Sequence, residues 1–427
     1  MRIYFEVIGC KLNQAEVEDL ARQALAVGHQ MVQDPSQADW AIVNTCTVTH
    51  VAARKSRQAI RHLHRLNPAL RIAVIGCFAE ISPSEAARLE GVALVLPNAR
   101  KESVLQEIAS QSGEALPLGR TCGIGAPLPG GHTRALVKVQ DGCDNACTYC
   151  IVSTARGPSR SRPPEEVLSE VQARLQEGYR EVVLTGVNLG AYGRDMGTSP
   201  TGWSLARLVQ ALLDLPGDWR LRLSSIEPWD ATPELVALWP HPKLCRHLHV
   251  PLQSGSDAIL RRMGRGYRAS DYLDLIRAVR ARVPEIGLST DVIVGFPGEG
   301  EAEFAETLAF VEQCAFSRLH VFRYSPRPGT PAAQMEGAVP PAIAQARSLK
   351  LAALGRALAE RFHRQYLGRE VKVLFETATK RSDTLIWDGL TDNYIRVEVA
   401  CPRPLANEMH TVRIEAADAS GLRGTLL

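Results

Sequence analysis

Along the N-terminal part of the chain, apolar positions come in short runs separated by stretches with helical periodicity. The runs Ile3–Ile8, Trp40–Asn44, Arg71–Gly76 and Val92–Pro97 predict strands. The stretches Asn13–Val27, Val51–Leu66, Pro83–Leu89 and Lys101–Ile108 predict helices. Strands alternating with helices build a parallel sheet, because each helical crossover returns the chain to the end of the sheet where the previous strand began. Residues 1–110 are therefore expected to form an open, doubly wound α/β domain. Gln111–Thr133 then lapses into Gly, Pro and Ser and reads as a linker.

Periodicity resumes with six strand candidates: Ala135–Gln140, Glu181–Val187, Leu221–Ile226, His247–Leu252, Leu288–Val294 and Arg318–Tyr324. Pro164–Glu177, Leu205–Leu213, Ala269–Val283 and Ala302–Cys314 supply helices between them. Repeated βα units predict a partial (β/α)6 barrel with its site at the C-terminal strand ends. The Pro- and Gly-rich stretch Ser325–Pro341 and the helical stretch Ala342–Tyr366 complete a unit expected over residues 134–366. Residues 367–427 alternate instead, as in Val371–Phe375 and Tyr394–Val399, and predict a small β-barrel.

Composition narrows the class. A chain of 427 residues exceeds one ordinary core, and 45% apolar with 22% charged residues fits a soluble globular protein. No run approaches the roughly 20 apolar residues that a membrane span needs. Met1-Arg2-Ile3-Tyr4-Phe5 leads straight into a strand with no visible signal peptide, so the cytoplasm is the expected location. A net charge of +3 does not announce a polyanion partner, so any RNA contact must come from local basic stretches. Ten cysteines in a cytoplasmic chain point to metal binding or catalysis, because that compartment keeps thiols reduced.

The densest chemistry lies in Gly142-Cys143-Asp144-Asn145-Ala146-Cys147-Thr148-Tyr149-Cys150, directly after the first predicted barrel strand. Three thiolates spaced C-x3-C-x2-C can hold a 4Fe–4S cube from one loop, leaving one iron open. S-adenosylmethionine (SAM) can chelate that iron through its amino and carboxylate groups. A closed zinc site would need a fourth ligand, for which His132 or a distant cysteine is the alternative. Cys10, Cys46 and Cys77 each end a predicted strand, about one βα repeat apart. Strand ends of a parallel sheet share one edge, so these thiols can converge. Small apolar Cys is also common at buried strand ends, which is the plainer reading. Cys122, Cys245, Cys314 and Cys401 match no ligand pattern.

Four stretches carry a resemblance: Gly9-Cys10-Lys11-Leu12-Asn13-Gln14, Lys138-Val139-Gln140-Asp141-Gly142-Cys143, Leu184-Thr185-Gly186-Val187-Asn188-Leu189-Gly190 and Pro251-Leu252-Gln253-Ser254-Gly255-Ser256. Over essentially its full length the chain resembles the radical-SAM methylthiotransferases. It is most similar to the branch acting on threonylcarbamoyladenosine in tRNA. The resemblance implies two 4Fe–4S clusters, one on Cys143, Cys147 and Cys150 and an auxiliary one on Cys10, Cys46 and Cys77. It implies a 5′-deoxyadenosyl radical that activates C2–H of the adenine, sulfur from the auxiliary cluster, and a methyl group from a second SAM. It also implies a tRNA anticodon stem-loop as partner, an electron donor such as flavodoxin or ferredoxin, a monomer, and a TRAM-like C-terminal barrel. Isopentenyl-adenosine or a ribosomal-protein aspartate remains an alternative substrate. A non-catalytic iron–sulfur RNA-binding protein is the alternative of another class.

Further site positions follow from that resemblance. Tyr149 in the cysteine loop, and Thr185, Gly186 and Asn188 after the second barrel strand, fit SAM binding, although Gly and Asn also suit an ordinary βα turn. Ser225 and Glu227 end the third strand, and Asp291 lies in the fifth, where a structural salt bridge is nearly as good a reading. His247 and His249 share a strand face and read as barrel packing. For RNA, Arg54, Arg57, Arg61 and Arg65 make one helix face, and Arg156, Arg160 and Arg162 follow the cysteine loop. A solvated helix face is the plainer alternative for the first group. Residues 367–427 hold eight Lys and Arg against nine Asp and Glu. RNA contact there would be local, through Lys372, Lys380, Arg381 and Arg396.

Overall fold

The computed structural model describes residues 1–113, 133–197, 202–382 and 384–427. The expected linker falls almost wholly outside them, as do Cys122 and His132. The N-terminal region is a parallel five-stranded sheet. Its spatial order is Gln30–Met31, Arg2–Val7, Trp40–Thr45, Arg71–Gly76, Val92–Val95. The two-residue strand Gln30–Met31 was not foreseen, being too short to show a period. Lys101–Ile108 resolves into a 3-10 turn, Asn98–Ser103, and the helix Val104–Ser112. Strand order reverses between Arg2–Val7 and Trp40–Thr45, and such a switch opens a crevice at the C-terminal strand ends. Cys10 and Cys46 flank that crevice in sequence, and Cys77 follows the next strand.

Six further parallel strands form the central region as two three-stranded sheets. Ala135–Lys138, Glu181–Thr185 and Arg220–Leu223 make one, and His247–His249, Gly287–Val294 and Arg318–Arg323 the other. Bridges Leu221↔Leu244 and Ser225↔His249 join them into one open wall. That is the expected partial barrel. Its strands and helices share one apolar cluster, which includes Val137, Leu184, Leu288 and Val292. The helix Lys11–Ala26 packs on its first strand, with Ala15 against Leu136 and Val183. The N-terminal sheet thus lies beside the open side of the barrel.

The C-terminal strands Glu370–Arg381, Thr384–Thr391, Arg396–Ala400, Met409–Asp418 and Gly421–Leu426 close into a barrel. It docks under the N-terminal ends of the central strands. Arg246 pairs with Asp392 at 2.6 Å, and Arg222 Nη1 donates to the Asp392 carbonyl at 2.8 Å. Glu181, fully buried, receives Arg220 and Arg222 at 2.5 and 2.6 Å. Burial pushes the Glu181 carboxyl up, but these guanidiniums outweigh it and hold it well below the usual carboxylate range. Among the described residues no helix is long and apolar enough to cross a membrane.

Candidate cluster sites and the cavity between them

Each cysteine site depends on backbone that only glycine tolerates. Gly9 sits at φ +124°, where a Cβ would stand 2.8 Å from Cys46 Cβ. The turn after the first strand can therefore close on the end of its neighbour. Gly142 sits at φ +75°, where a Cβ would run into the Pro158 carbonyl. Asn13 then ties the assembled site together. Its amide donates to the carbonyls of Ile8 at 2.7 Å and Thr45 at 3.1 Å, and its Oδ1 faces Cys10 Sγ at 3.7 Å. Ser56 braces Cys46 itself, accepting from its backbone N–H at 3.1 Å and donating to its carbonyl at 2.8 Å.

The thiols of each triplet sense one another. Burial pushes Cys46 up to about 11, with Cys77 and Cys10 adding to the shift, and burial raises Cys77 as well. In the loop, burial pushes Cys150 up to about 11, with Cys147 and Cys143 reinforcing it, and Cys143 is also raised. Thiols raised in this way lose their protons when metal binds. In neither triplet do all three sulfurs lie within 4.8 Å of one another, a closeness met among the described residues only by His249, Asp291 and His320. One tetrahedral zinc would draw its sulfurs to about 3.8 Å. A 4Fe–4S cube places its sulfurs on separate irons, further apart than one zinc does.

Around the loop, Arg265 is buried, stands 3.4 Å from Cys147 Sγ and pairs with Glu227. Glu227 is thus spoken for by a guanidinium beside the cysteines. Tyr149 packs edge-on against Phe296 with ring centres 6.3 Å apart. The Asn188 backbone N–H donates to Gln140 Oε1 at 2.9 Å, while its buried Oδ1 has no partner among the described residues. Nothing in sequence spacing pointed to Arg265, which meets the site only through the fold, while Gln140 was read only as part of the stretch Lys138–Cys143.

Two of the arginines expected at RNA need correction. Arg156 is buried and lies between the two cysteine sites. It donates to Asn13 Oδ1 at 2.6 Å, Glu16 at 2.9 Å and Asp141 at 3.0 Å, and lies beside Cys77. Lys101 and Lys138 join it around the same two carboxylates, at 2.6 and 3.0 Å from Glu16. Burial pushes Glu16 and Asp141 up, but the three cations outweigh it and hold both carboxyls well below their usual range. Arg162 is likewise taken up, pairing with Glu170 at 2.5 Å and Glu166 at 3.7 Å. Arg160 stays exposed and donates to the Arg156 carbonyl at 3.2 Å. Arg54, Arg61 and Arg65 are exposed on the helix His50–Leu66, and Arg57 pairs with Glu85 at 3.3 Å. In the C-terminal barrel Lys372, Arg381 and Arg396 each pair with a carboxylate, and Lys380 is exposed.

A cavity of about 350 Å³ joins the regions. Cys10 and Lys11 enter it from the N-terminal sheet, Thr185, Gly186, Ser225 and Asp291 from the barrel, and Tyr394 from the C-terminal barrel. Ser224 Oγ, also on its wall, is buried without a partner among the described residues, so a polar ligand can satisfy it. Asp291 faces His249 Nε2 at 3.3 Å. With His320 these two gather ligand atoms within 4.8 Å, a set that could hold a cation. His247 packs as expected, stacked on Tyr394 at 4.6 Å and bonded to Ser289 at 3.0 Å. Cys245, Cys314 and Cys401 are buried core thiols.

Comparison with known proteins agrees with this layout. The Radical SAM superfamily matches residues 137–311, and the Uncharacterized protein family UPF0004 matches residues 2–97. The threonylcarbamoyladenosine tRNA methylthiotransferase MtaB of Thermotoga maritima is 39% identical, covering 98% of this chain and 96% of that one. Its Bacillus subtilis counterpart is 38% identical, covering 92% and 89%. The tRNA-2-methylthio-N(6)-dimethylallyladenosine synthase of Parafrankia sp. is 37% identical, covering 88% and 78%. Among solved structures, the radical S-adenosylmethionine methyltransferase TsrM of Kitasatospora setae superposes with a TM-score of 0.57 at 15% identity. It covers 78% of this chain and 77% of that one, a likeness of fold alone. With relatives this similar over nearly the whole chain, the protein is a member of the radical-SAM methylthiotransferase family.

Proposed function

We propose that this enzyme methylthiolates C2 of N6-threonylcarbamoyladenosine beside the tRNA anticodon, using two SAM molecules and two 4Fe–4S clusters. The observation that carries the reading is the shared cavity. Cys10 of the assembled triplet opens into the same space as Thr185, Gly186 and Ser225 at the barrel's strand ends and Asp291 within its fifth strand. Cys143, Cys147 and Cys150 would hold one cluster, and Cys10, Cys46 and Cys77 the other. When bound, the first supplies an electron for SAM cleavage and the second supplies sulfur.

The chain's own residues do the rest. Arg265 places a permanent positive charge 3.4 Å from Cys147 Sγ, where it would offset negative charge on a thiolate-ligated cluster. Thr185 and the unpartnered Ser224 and Asn188 oxygens offer hydrogen bonds to a polar cofactor near the second and third strand ends. Arg156 and Asn13 lock the two cysteine sites into one geometry, so a target atom between them keeps its place. Phe322, 46% exposed, lines both the cavity and an outer groove of about 800 Å³ that reaches Val51. The exposed Arg54 and Arg61 lie on the helix that begins there and would meet RNA phosphates.

The test is nucleoside mass spectrometry on tRNA treated with anaerobically reconstituted enzyme, SAM and reductant. The reading predicts conversion of threonylcarbamoyladenosine to its 2-methylthio form. Conversion of isopentenyl-adenosine alone would move the enzyme to the other branch. Formation of no 5′-deoxyadenosine would leave only an RNA-binding role.

A further inference from the structure

The last barrel strand, Arg318–Arg323, turns Arg318, His320 and Phe322 toward the cavity. Lys11 approaches from the other side, as the first residue of the helix Lys11–Ala26. Lys11 and Arg318 converge on the Tyr394 ring, at 5.5 and 5.8 Å from its centre. Arg134 and Arg222 also approach that ring, at 5.8 and 4.8 Å, but both have Glu181 close by, at 4.0 and 2.6 Å. Lys11 and Arg318 have no carboxylate partner among the described residues.

That arrangement is poor unless something answers it. Two cations share a wall with one carboxylate, Asp291, which already faces His249 at 3.3 Å. Lys11 also stands at a helix N-terminus, where the peptide dipoles present positive charge and the first turn holds no acidic residue. A face ring contact offsets only about 0.5–1 kcal/mol at an open site. An anion entering between the two side chains would relieve their repulsion and gain two charge-assisted bonds.

We propose that Lys11 and Arg318 form a carboxylate subsite that selects an adenosine bearing an acidic N6 substituent over one bearing an apolar substituent. This rests on the methylthiolation reading and gives it a structural basis for substrate choice. Threonylcarbamoyladenosine carries such a carboxylate, and an isopentenyl group has nothing to offer two cations. Three sources could supply an anion here: the substrate substituent, the carboxylate of SAM, or an RNA phosphate. The subsite belongs to the first, because Lys11 directly follows Cys10 and both cations line the same cavity as Cys10.

The experiment uses the reconstituted full chain and two anticodon stem-loop RNAs. One carries threonylcarbamoyladenosine and the other carries its methyl ester, which removes the charge and little else. Dissociation constants for both RNAs and for SAM, the iron content, and the methylthio product are measured. Wild type is expected to prefer the acid by about tenfold or more. Arg318→Gln should cut that preference severalfold, Lys11→Gln/Arg318→Gln should bring it near one, and Arg318→Lys should keep most of it. A preference that survives in the double variant overturns the subsite, and the other readings then show where the cations act. Raised SAM dissociation would assign them to SAM, equal weakening of both RNAs to phosphates, and lost iron to the auxiliary site. If wild type yields no methylthio product from the acid RNA, the functional reading itself fails and takes the subsite with it.

Discussion

Cys143, Cys147 and Cys150 sit within one loop, whereas Cys10, Cys46 and Cys77 come from the ends of three strands. The loop triplet needs only local geometry: Gly142 for a close approach and a few residues of chain between thiols. The assembled triplet needs the parallel sheet, the strand-order switch, Gly9 beside Cys46 and Asn13 spanning two strand ends. A site made by topology is therefore hostage to packing elsewhere, and one made by a loop is not. Arg156 couples them, rising from just after the loop to bond Asn13 of the assembled site.

The sharpest way to break the comparison is to remove each triplet in turn. Changing Cys143, Cys147 and Cys150 to Ala should reduce 5′-deoxyadenosine formation by about a thousandfold or more. Changing Cys10, Cys46 and Cys77 should leave that product detectable while methylthio nucleoside is lost to a similar degree. Chromatography of both products decides it, and methylthio nucleoside made by the second variant would end the sulfur-donor role. Next is Arg156→Met, which leaves Glu16 and Asp141 with less compensation. It should cost about 3–5 kcal/mol by urea unfolding. A change under about 1 kcal/mol would show that the buried network contributes little to holding the two sites together.

Gly9→Ala probes the assembled site alone. Strain at φ +124° predicts a loss of about 1–3 kcal/mol and reduced iron at that triplet, read by iron analysis and thermal unfolding. Acid should act through the same network. Glu16, Asp141 and Glu181 have folded-state values below their unfolded ones. Their contribution is full above about pH 4.3 and falls as pH drops toward the depressed values. Each such group steepens the acid limb by up to about 1.4 kcal/mol per pH unit, which unfolding curves between pH 5 and 3 would show. The smallest effect belongs to Arg61→Ala on the exposed helix face. It should weaken tRNA binding a few-fold and flatten the salt dependence by about one phosphate contact.

Much of this layout was legible because its signals are periodic or local. The strand runs, the βα alternation and the C-x3-C-x2-C loop all express themselves within a few residues. The closed C-terminal barrel likewise follows from alternation in residues 367–427. The assembled triplet could be read only because each thiol marks the end of a strand. Arg156 was misread as an RNA contact since Glu16 and Asp141, which bury it, belong to other elements. Arg265 and Arg318 left no signal, and Lys11 and Tyr394 were read only inside the Gly9–Gln14 motif and the Tyr394–Val399 alternation, because convergence across three regions has no counterpart in sequence spacing. Tyr394 in particular sits at φ +71° in a turn of the C-terminal barrel, and only docking brings it into the cavity.

Iron and sulfide analysis with Mössbauer spectroscopy, on protein reconstituted without oxygen, addresses the central claim most directly. Two clusters predict about eight irons per chain in the wild type and about four after loss of either cysteine triplet, all in 4Fe–4S form. About four irons in the wild type, unchanged when Cys10, Cys46 and Cys77 are replaced, would contradict the account.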